Sequence, residues 1–251
     1  MDAARFAGLT AIVTGAGSGI GRAAAARIAA EGGRVVVADL LPDRVEQTVA
    51  LVTGTGGGSA VGVAGDITRQ EHVDDLVAAC EGRVDVLVNN AGIMDAFLPV
   101  GEMDDATWAR VLDVNLTAPM RTTRAVLPLM QAAGSGAIVN VASEAALRAG
   151  AAGSAYTAAK HGLVGLTRST ALFYRAAGIR CNAVLPGAVR TNIEAPFRSE
   201  FAAAVLSPLL GIIPGVAQPE DLAAAICWLA SPDARNVNGA LLASDGGWST
   251  I

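Results

Sequence analysis

Tyr156 and Lys160 stand four residues apart in an Ala-rich stretch of helical period, so on a helix the phenol and the ammonium share one face. A phenol is a proton donor whose conjugate base needs help at neutral pH. Bringing it from near 10 to near 7 takes about three units, or about 4 kcal/mol of preference for phenolate. A neighbouring cation supplies part of that preference. Alone, a Tyr and a Lys at this spacing would more often be a surface pair. Three other features turn the reading toward a site: Ser143 at the end of an upstream strand-like run, a glycine loop near the start of the chain, and Asp39.

The glycine loop follows the first strand-like run: Thr14-Gly15-Ala16-Gly17-Ser18-Gly19-Ile20-Gly21, then Arg22 and an Ala-rich helix. Glycines let the backbone turn sharply and let a pyrophosphate approach with no Cβ in the way. The helix that follows points unpaired N–H groups and its positive end at that anion. A nucleotide-hydrolysing loop would need Gly-Lys-Ser/Thr, and here Arg22 follows Gly21. Asp39 closes the second strand-like run, where a carboxylate accepts both hydroxyls of an adenosine ribose and repels a 2′-phosphate. Two like charges about 4 Å apart repel by roughly 1 to 4 kcal/mol, according to the effective dielectric. Leu40 and Leu41 follow, so no adjacent Arg is offered to a phosphate. NAD (NADH) is the expected cofactor and NADP the less favoured one; the positive ring of oxidised nicotinamide is the second source of help for the phenol.

Those residues need a scaffold that brings strand ends together. Strands are predicted at Leu9–Thr14, Arg34–Asp39, Ala60–Gly65, Val84–Asn89, Gly136–Ala142, Ile179–Leu185 and Ala240–Ala243. Helices are predicted at 19–31, 43–52, 69–81, 104–133, 154–177 and 219–230. Strand runs such as Arg34–Asp39 are continuously apolar, as parallel strands covered on both faces must be. The alternation implies an α/β, doubly wound parallel sheet in one domain over 1–251, and the Gly-rich stretch Gly54–Ala60 is taken as a loop.

Composition bounds the function. Eighteen Lys and Arg against 23 Asp and Glu leave a net charge of −5, with no basic field for a phosphate backbone, so nucleic acid is not an expected partner. Apolar residues make up 52% and charged ones 16%, which excludes a disordered chain and raises the question of a membrane. The two charge-free runs, Ala125–Ser143 and Phe201–Pro219, are broken by Pro128 and Gly134 and by Pro208, Gly211 and Pro214. Neither is the unbroken apolar helix of about 20 residues that a bilayer requires. Asp2 and Arg5 make the opening residues polar, against a leader peptide. Cys80, Cys181 and Cys227 are far apart and form no C-x-x-C pair, so they read as buried thiols in a reducing compartment and not as bridges or metal ligands. A cytoplasmic, soluble protein without a metal is expected.

Taken together, the chain closely resembles the short-chain dehydrogenase/reductase family in its short branch. The resemblance rests on T-G-x-x-x-G-I-G at Thr14–Gly21, Asp66, Asn89-Asn90-Ala91-Gly92, Asn115, Ser143, Tyr156, Lys160, and Pro186-Gly187 with Thr191. It implies a Rossmann-type sheet of seven strands with helices on both faces, and a catalytic tetrad of Asn115, Ser143, Tyr156 and Lys160. Tyr156 would be the general acid and base, Ser143 would hydrogen-bond the substrate oxygen, and Lys160 would hold the nicotinamide ribose and depress the tyrosine pKa. Asn115 would position a relay water through its backbone. The resemblance assigns Gly15, Gly17, Ser18, Gly19, Ile20 and Gly21 to the phosphates, and Asp39 and Leu40 to the adenosine ribose. It assigns Asp66 and Ile67 to adenine, Asn89, Ala91 and Gly92 to its ribose side, and Pro186, Gly187, Val189 and Thr191 with Ile20 to the nicotinamide end. A homotetramer acting on a small alcohol or ketone is implied.

The same resemblance makes about 189–218 a mobile cover over the substrate. Its apolar residues, among them Ile193, Phe197, Phe201, Leu209, Leu210 and Ile213, suit a hydrophobic alcohol or ketone or else pack a subunit contact; Glu194, Arg198 and Glu200 interrupt them. Glu144 either meets a polar part of the substrate or faces solvent at the pocket mouth. His161 points off the catalytic face, and His72 lies in a charged helix start with Thr68 as its N-cap. Phe173 stands where relatives often place an acid. Two other readings stay open: a 3-oxoacyl-thioester reductase serving acyl carrier protein or CoA, which the net charge and Leu172 disfavour, and a silent NAD-binding sensor or scaffold, which the intact Ser143, Tyr156 and Lys160 disfavour.

Overall fold

A continuously β-branched strand has two apolar faces to hide, and this chain hides them between two layers of helices. The computed structural model describes residues 4–54, 56–193 and 196–251, so Asp2 and Glu194 lie outside the described residues. Seven strands, β1 (Thr10–Thr14), β2 (Arg34–Asp39), β3 (Ser59–Ala64), β4 (Val86–Asn89), β5 (Gly136–Val141), β6 (Ile179–Pro186) and β7 (Leu241–Ser244), form one sheet in the order β3-β2-β1-β4-β5-β6-β7. Every pairing is parallel. The chain builds outward from β1 in one direction and from β4 in the other, and that reversal opens a crevice at the carboxyl ends of the strands. The register brings those ends level: Thr14 stands beside Ala38, Asn89 beside Asn140 and Val141 beside Val184.

On one face pack α1 (Gly19–Ala30), α2 (Pro42–Gly54) and α8 (Pro219–Ala230), through Ala24, Ile28, Val45, Val52, Leu222 and Ile226. On the other lie α3 (Gln70–Ala78), α5 (Ala118–Ala133) and α6 (Ser154–Tyr174), through Leu76, Val126, Met130 and Ala171. The architecture is the Rossmann-type doubly wound sheet that the alternation predicts, with strand limits shifted by no more than two residues. Cys80, Cys181 and Cys227 are buried free thiols, and burial pushes each up to about 12. Among the described residues no helix is long and apolar enough to cross a membrane, and none of the acidic, His and Cys side chains cluster as metal ligands.

Two expectations about helices need correction. The predicted helix 104–133 is α4 (Asp105–Leu112) and α5, joined by a wide π-helical turn at Asp113–Thr117. The Asn115 side-chain amide donates to the Val111 carbonyl at 2.9 Å, the acceptor that an α-helical turn would give to its own backbone N–H, and the turn widens by a residue. The cover contains a helix that its Pro and Gly content conceals, α7 (Glu200–Leu210), capped by Ser199 at the Ala202 amide and ending at Gly211. Pro208 falls in its last turn, where the i−4 bond it forfeits is followed within three residues by the end of the helix at Gly211.

Candidate active site

At the crevice, the loop between β1 and α1 is built by close approach. A Cβ on Gly21 would collide with the Gly15 carbonyl oxygen, and one on Gly17 would lie 2.7 Å from a carboxylate oxygen of Asp39. With no Cβ there, the Gly17 amide donates to Asp39 Oδ2 at 2.9 Å, and Oδ1 accepts from the Leu41 amide at 3.2 Å. Asn90 ties the loop to β4, its side-chain amide donating to the Thr14 and Gly15 carbonyls at 2.9 and 3.2 Å. No side chain caps the first turn of α1, so its amides are free for an anion. A glycine cradle and an uncapped helix start offer donors to phosphates, and the Asp39 carboxylate offers acceptors to ribose hydroxyls; the residues fit a dinucleotide. Gly15, Ser18, Gly19 and Ile20 line the crevice, whereas Gly17 and Gly21 shape it from behind.

The adenosine end departs from the expectations in several places. Arg44, in the first turn of α2, lines the crevice with its Cβ beside Gly17, so an arginine shares this end of the crevice with Asp39 although Leu40 and Leu41 carry no charge. Asp66, Ile67, Leu40, His72 and Arg110 line the same end. Burial opposes the Asp66 charge, but hydrogen bonds from Thr68 and the Arg110 guanidinium win and hold its carboxyl below the usual range. Thr68 is thus engaged with Asp66, and the residue before α3 is Arg69, which makes no side-chain cap. Burial lowers the His72 pKa despite Asp75 and Asp66 nearby. Asn89 does not face the crevice: its amide donates to Asn140 at 2.9 Å and Thr123 at 3.2 Å and accepts from Thr122 at 2.6 Å, all buried. Asn90, Ala91 and Gly92 line the crevice in its place.

Further along the crevice Ser143, Tyr156 and Lys160 come together along one wall. Ser143 follows β5 and accepts from the Ala145 amide at 3.1 Å, while α6 carries the other two. Lys160 Nζ donates to the Val141 carbonyl at 2.9 Å and sits over the Tyr156 ring, 5.4 Å from its centroid. Burial pushes the phenol up to about 12, against a hydrogen bond from Ser143 and with an added push from the Asp95 carboxylate. The same burial pulls the ammonium down to about 8. The expectation that Lys160 depresses the tyrosine pKa is therefore not met by the pair itself: desolvation acts on both groups, and the cation lies against the ring face. Asn115 stands behind the wall, fully buried, donating to the Ile93 carbonyl at 2.9 Å and accepting from the Ile93 amide at 3.3 Å. It braces the segment after β4.

Glu144 takes neither predicted place. It is 1% exposed and ion-paired to Arg148, whose guanidinium also donates to the Trp248 carbonyl at 2.6 Å and to that of Ile251 and lies over the Trp248 ring. The C-terminal turn is thereby pinned at the substrate end, where Trp248 forms part of the wall. His161 faces outward and engages the Thr157 carbonyl.

The crevice encloses about 650 Å³. Its substrate end is lined by Ile93, Met94, Phe97, Ile193, Leu210, Ile213, Val216 and Trp248. The cover leaves and rejoins the body side by side, with Val189 bridged to Ala217, and Phe197 stacks on Phe97 at 4.3 Å. Pro186, Gly187, Val189 and Thr191 line the crevice between the wall of Ser143, Tyr156 and Lys160 and the segment that ends at Ala217. Among the described lining residues the charged ones other than Lys160 (Asp39, Arg44, Asp66 and Arg110) belong to the adenosine end. Sequence reasoning missed Arg44, Arg110, Asp95 and Trp248; only the fold brings them to the site.

Comparison with known proteins agrees with this geometry. The short chain dehydrogenase family profile matches residues 9–201. A cis-4-hydroxycyclohexanecarboxylate dehydrogenase of Sinomonas cyclohexanicum is 42% identical, covering 98% of both chains. A 3beta-hydroxysteroid dehydrogenase of Eggerthella lenta is 39% identical over 97% of this chain and 96% of its own. The crystal structure of levodione reductase superposes with a TM-score of 0.90 at 33% identity, over 98% of this chain and 99% of that one. Two further structures differ in what they hold. A short chain dehydrogenase from Mycobacterium paratuberculosis (TM-score 0.88, 32% identity, 98% and 100% coverage) holds NAD, and a protein from Beutenbergia cavernae (0.85, 40%, 98% and 98%) holds NADP at low occupancy.

The buried ammonium makes stability depend on pH with a definite sign. Lys160 titrates near 10.5 when unfolded and near 8 in the fold, so between those values the unfolded chain binds more protons and stability rises with pH. The buried thiols and Tyr156 act the other way, since unfolding lets them ionise from 9.0 and 10.0 instead of about 12. Comparing Lys160→Met with the wild type cancels those groups. The variant's melting temperature minus that of the wild type should fall as pH rises from 8 toward 10.5; a difference constant with pH would contradict the assignment.

Proposed function

The chain belongs to the short-chain dehydrogenase/reductase family and is an oxidoreductase of alcohol and ketone groups, and within that class we propose that it interconverts an apolar, ring-bearing secondary alcohol and its ketone with NAD. One observation carries the proposal: a buried phenol stands between the Ser143 hydroxyl and the Lys160 ammonium on the wall of a crevice whose other end is built for a dinucleotide.

In oxidation, Ser143 donates a hydrogen bond to the substrate hydroxyl and orients it, and Tyr156 takes the hydroxyl proton; in reduction Tyr156 returns it to the developing alkoxide. The nicotinamide dinucleotide, when bound, supplies or accepts the hydride, so no metal is needed. Lys160 holds the nicotinamide ribose and keeps a positive charge beside the phenol. Asn115 braces the wall through Ile93 and, by its place in the widened turn, offers backbone to a relay water. Closing the cover excludes water from the exchange.

Preference for NAD is supported by Asp39, whose carboxylate is fixed by the Gly17 and Leu41 amides at the position for an adenosine ribose. Arg44 offsets part of its repulsion of a 2′-phosphate. The substrate class is supported by the apolar wall and by two relatives whose names describe hydroxylated rings. Because no cation besides Lys160 lines the reacting end among the described residues, an uncharged ring suits this cleft better than a carboxylate-bearing one. A homotetramer is supported by Leu172 and Phe173, exposed by 57% and 76% on the outer face of α6, and a cytoplasmic location by the three unpaired, buried thiols.

Two measurements follow. Tyr156→Phe should lower kcat by about a hundred- to ten-thousand-fold while NADH still binds; near-normal turnover would remove the phenol from the mechanism. In a dinucleotide titration of the wild type, NADH should bind at least about tenfold tighter than NADPH, and tighter NADPH binding would refute the reading of Asp39.

A further inference from the structure

Asp95 is an acidic side chain only 1% exposed, three residues past Gly92, and among the described residues no ion pair accounts for its burial. Three backbone amides do. Oδ1 accepts from Phe97 at 3.1 Å and Gly153 at 3.0 Å, and Oδ2 accepts from Tyr156 at 2.9 Å. Helix α6 starts at Ser154, so the carboxylate takes the amides of the N-cap and of the third helical residue. A Ser, Thr or Asp at the N-cap ordinarily serves such donors from its own side chain. Gly153 has no side chain, and a Cβ there would lie 2.6 Å from Asp95 Oδ2. The helix that bears the catalytic phenol is capped from another segment of the chain, at the phenol's own residue.

The same turn receives the cover. Ala96 and Phe97 are held in the left-handed region, at φ 55 and 57, a conformation that strains any residue with a Cβ. In that conformation the Ala96 carbonyl accepts from the Arg198 amide at 3.2 Å, and Phe97 presents its ring to Phe197. Strain of this kind persists where the surroundings fix it, and such places cluster at ligand clamps and active sites. Here Asp95 fixes it from one side and the cover from the other.

We propose that Asp95 is a positioning residue for the reaction: it sets the place of Tyr156 in the catalytic wall and shapes the turn on which the substrate cover docks, so that a seated cover and an aligned phenol are one arrangement. The inference rests on the role given to Tyr156 above. It also explains a carboxylate where charge alone would disfavour one. The charged groups facing the phenol are Lys160 on its own helix and Asp95 from the segment after β4, with the Ser143 hydroxyl opposite, and of these Asp95 opposes phenolate. Asn at this position would offer one oxygen to three amides, so the geometry demands the carboxylate that the electrostatics resists.

The test compares wild type, Asp95→Asn and Gly153→Ala on one cyclic alcohol that the wild type oxidises. Asp95→Asn should keep a cooperative melt and an NADH affinity within about twofold, lose about 10- to 100-fold in kcat with a smaller change in substrate KM, and shift its kcat–pH profile to lower pH. Gly153→Ala displaces the carboxylate but leaves its charge, so kcat should fall with the profile held in place. An Asp95→Asn enzyme with kcat within about threefold of wild type and an unmoved profile overturns the proposal. So does loss of its cooperative melt or of NADH binding, which would make Asp95 a determinant of the fold. A wild type inert on every alcohol and ketone would instead bring down the functional reading, and this inference with it.

Discussion

The site depends on burying a phenol and an ammonium side by side. Taking either group out of water favours its neutral form, so the fold pushes Tyr156 up to about 12 and pulls Lys160 down to about 8. At neutral pH the buried phenol then keeps its proton unless something further favours phenolate. In the proposed reaction a further positive charge placed against the pair makes it competent, and the glycine cradle, Asp39 and Lys160 would hold the dinucleotide that carries one. Proton transfer would thereby be tied to occupancy of the crevice.

The rest of the structure keeps that arrangement rigid. Parallel strands bring Thr14, Asp39, Asn90 and Ser143 to one edge, because each follows the carboxyl end of its strand or lies within it at level register. Two asparagines spend their side chains on backbone near the site: Asn90 stitches the glycine loop to β4, and Asn115 widens its own helix to hold the segment that ends in Ile93. Glu144 and Arg148 do the same for the far wall, pinning Trp248. Buried polar groups here rigidify because most of their hydrogen-bonding capacity is used.

Much of this is legible in the amino-acid sequence. The glycine loop, Asp39 and the Tyr156–Lys160 spacing are local features, and local features survive translation into sequence patterns. So do the strands, whose unbroken apolar runs allow little but a covered parallel sheet. What stays hidden is set by tertiary contact. Asn89 and Asn90 are neighbours at the end of an alternating strand, and which one faces the crevice is a matter of register that composition does not reveal. Arg44 lies beyond Leu40 and Leu41, and it meets the glycine loop only because α2 turns the chain back over Gly17. Glu144 has the sequence surroundings of a surface acid, and its burial is tolerable only with Arg148 beside it. The π turn depends on Asn115 competing for the Val111 carbonyl, and α7 is masked by a proline that its last turn tolerates. The charge of Lys160 does not by itself depress the tyrosine pKa, because a pairwise charge argument omits the shared cost of burial.

The chain has two tyrosines, Tyr156 and Tyr174, so a Tyr174→Phe protein carries one phenol and its ionisation can be followed directly in the near ultraviolet. Titrated alone, that phenol should remain protonated until about pH 12. Titrated with saturating NAD, its apparent pKa should fall by several units. A tyrosinate transition that stays in place when NAD is added would contradict the account, because the phenol would then have no means of serving as a base near neutrality.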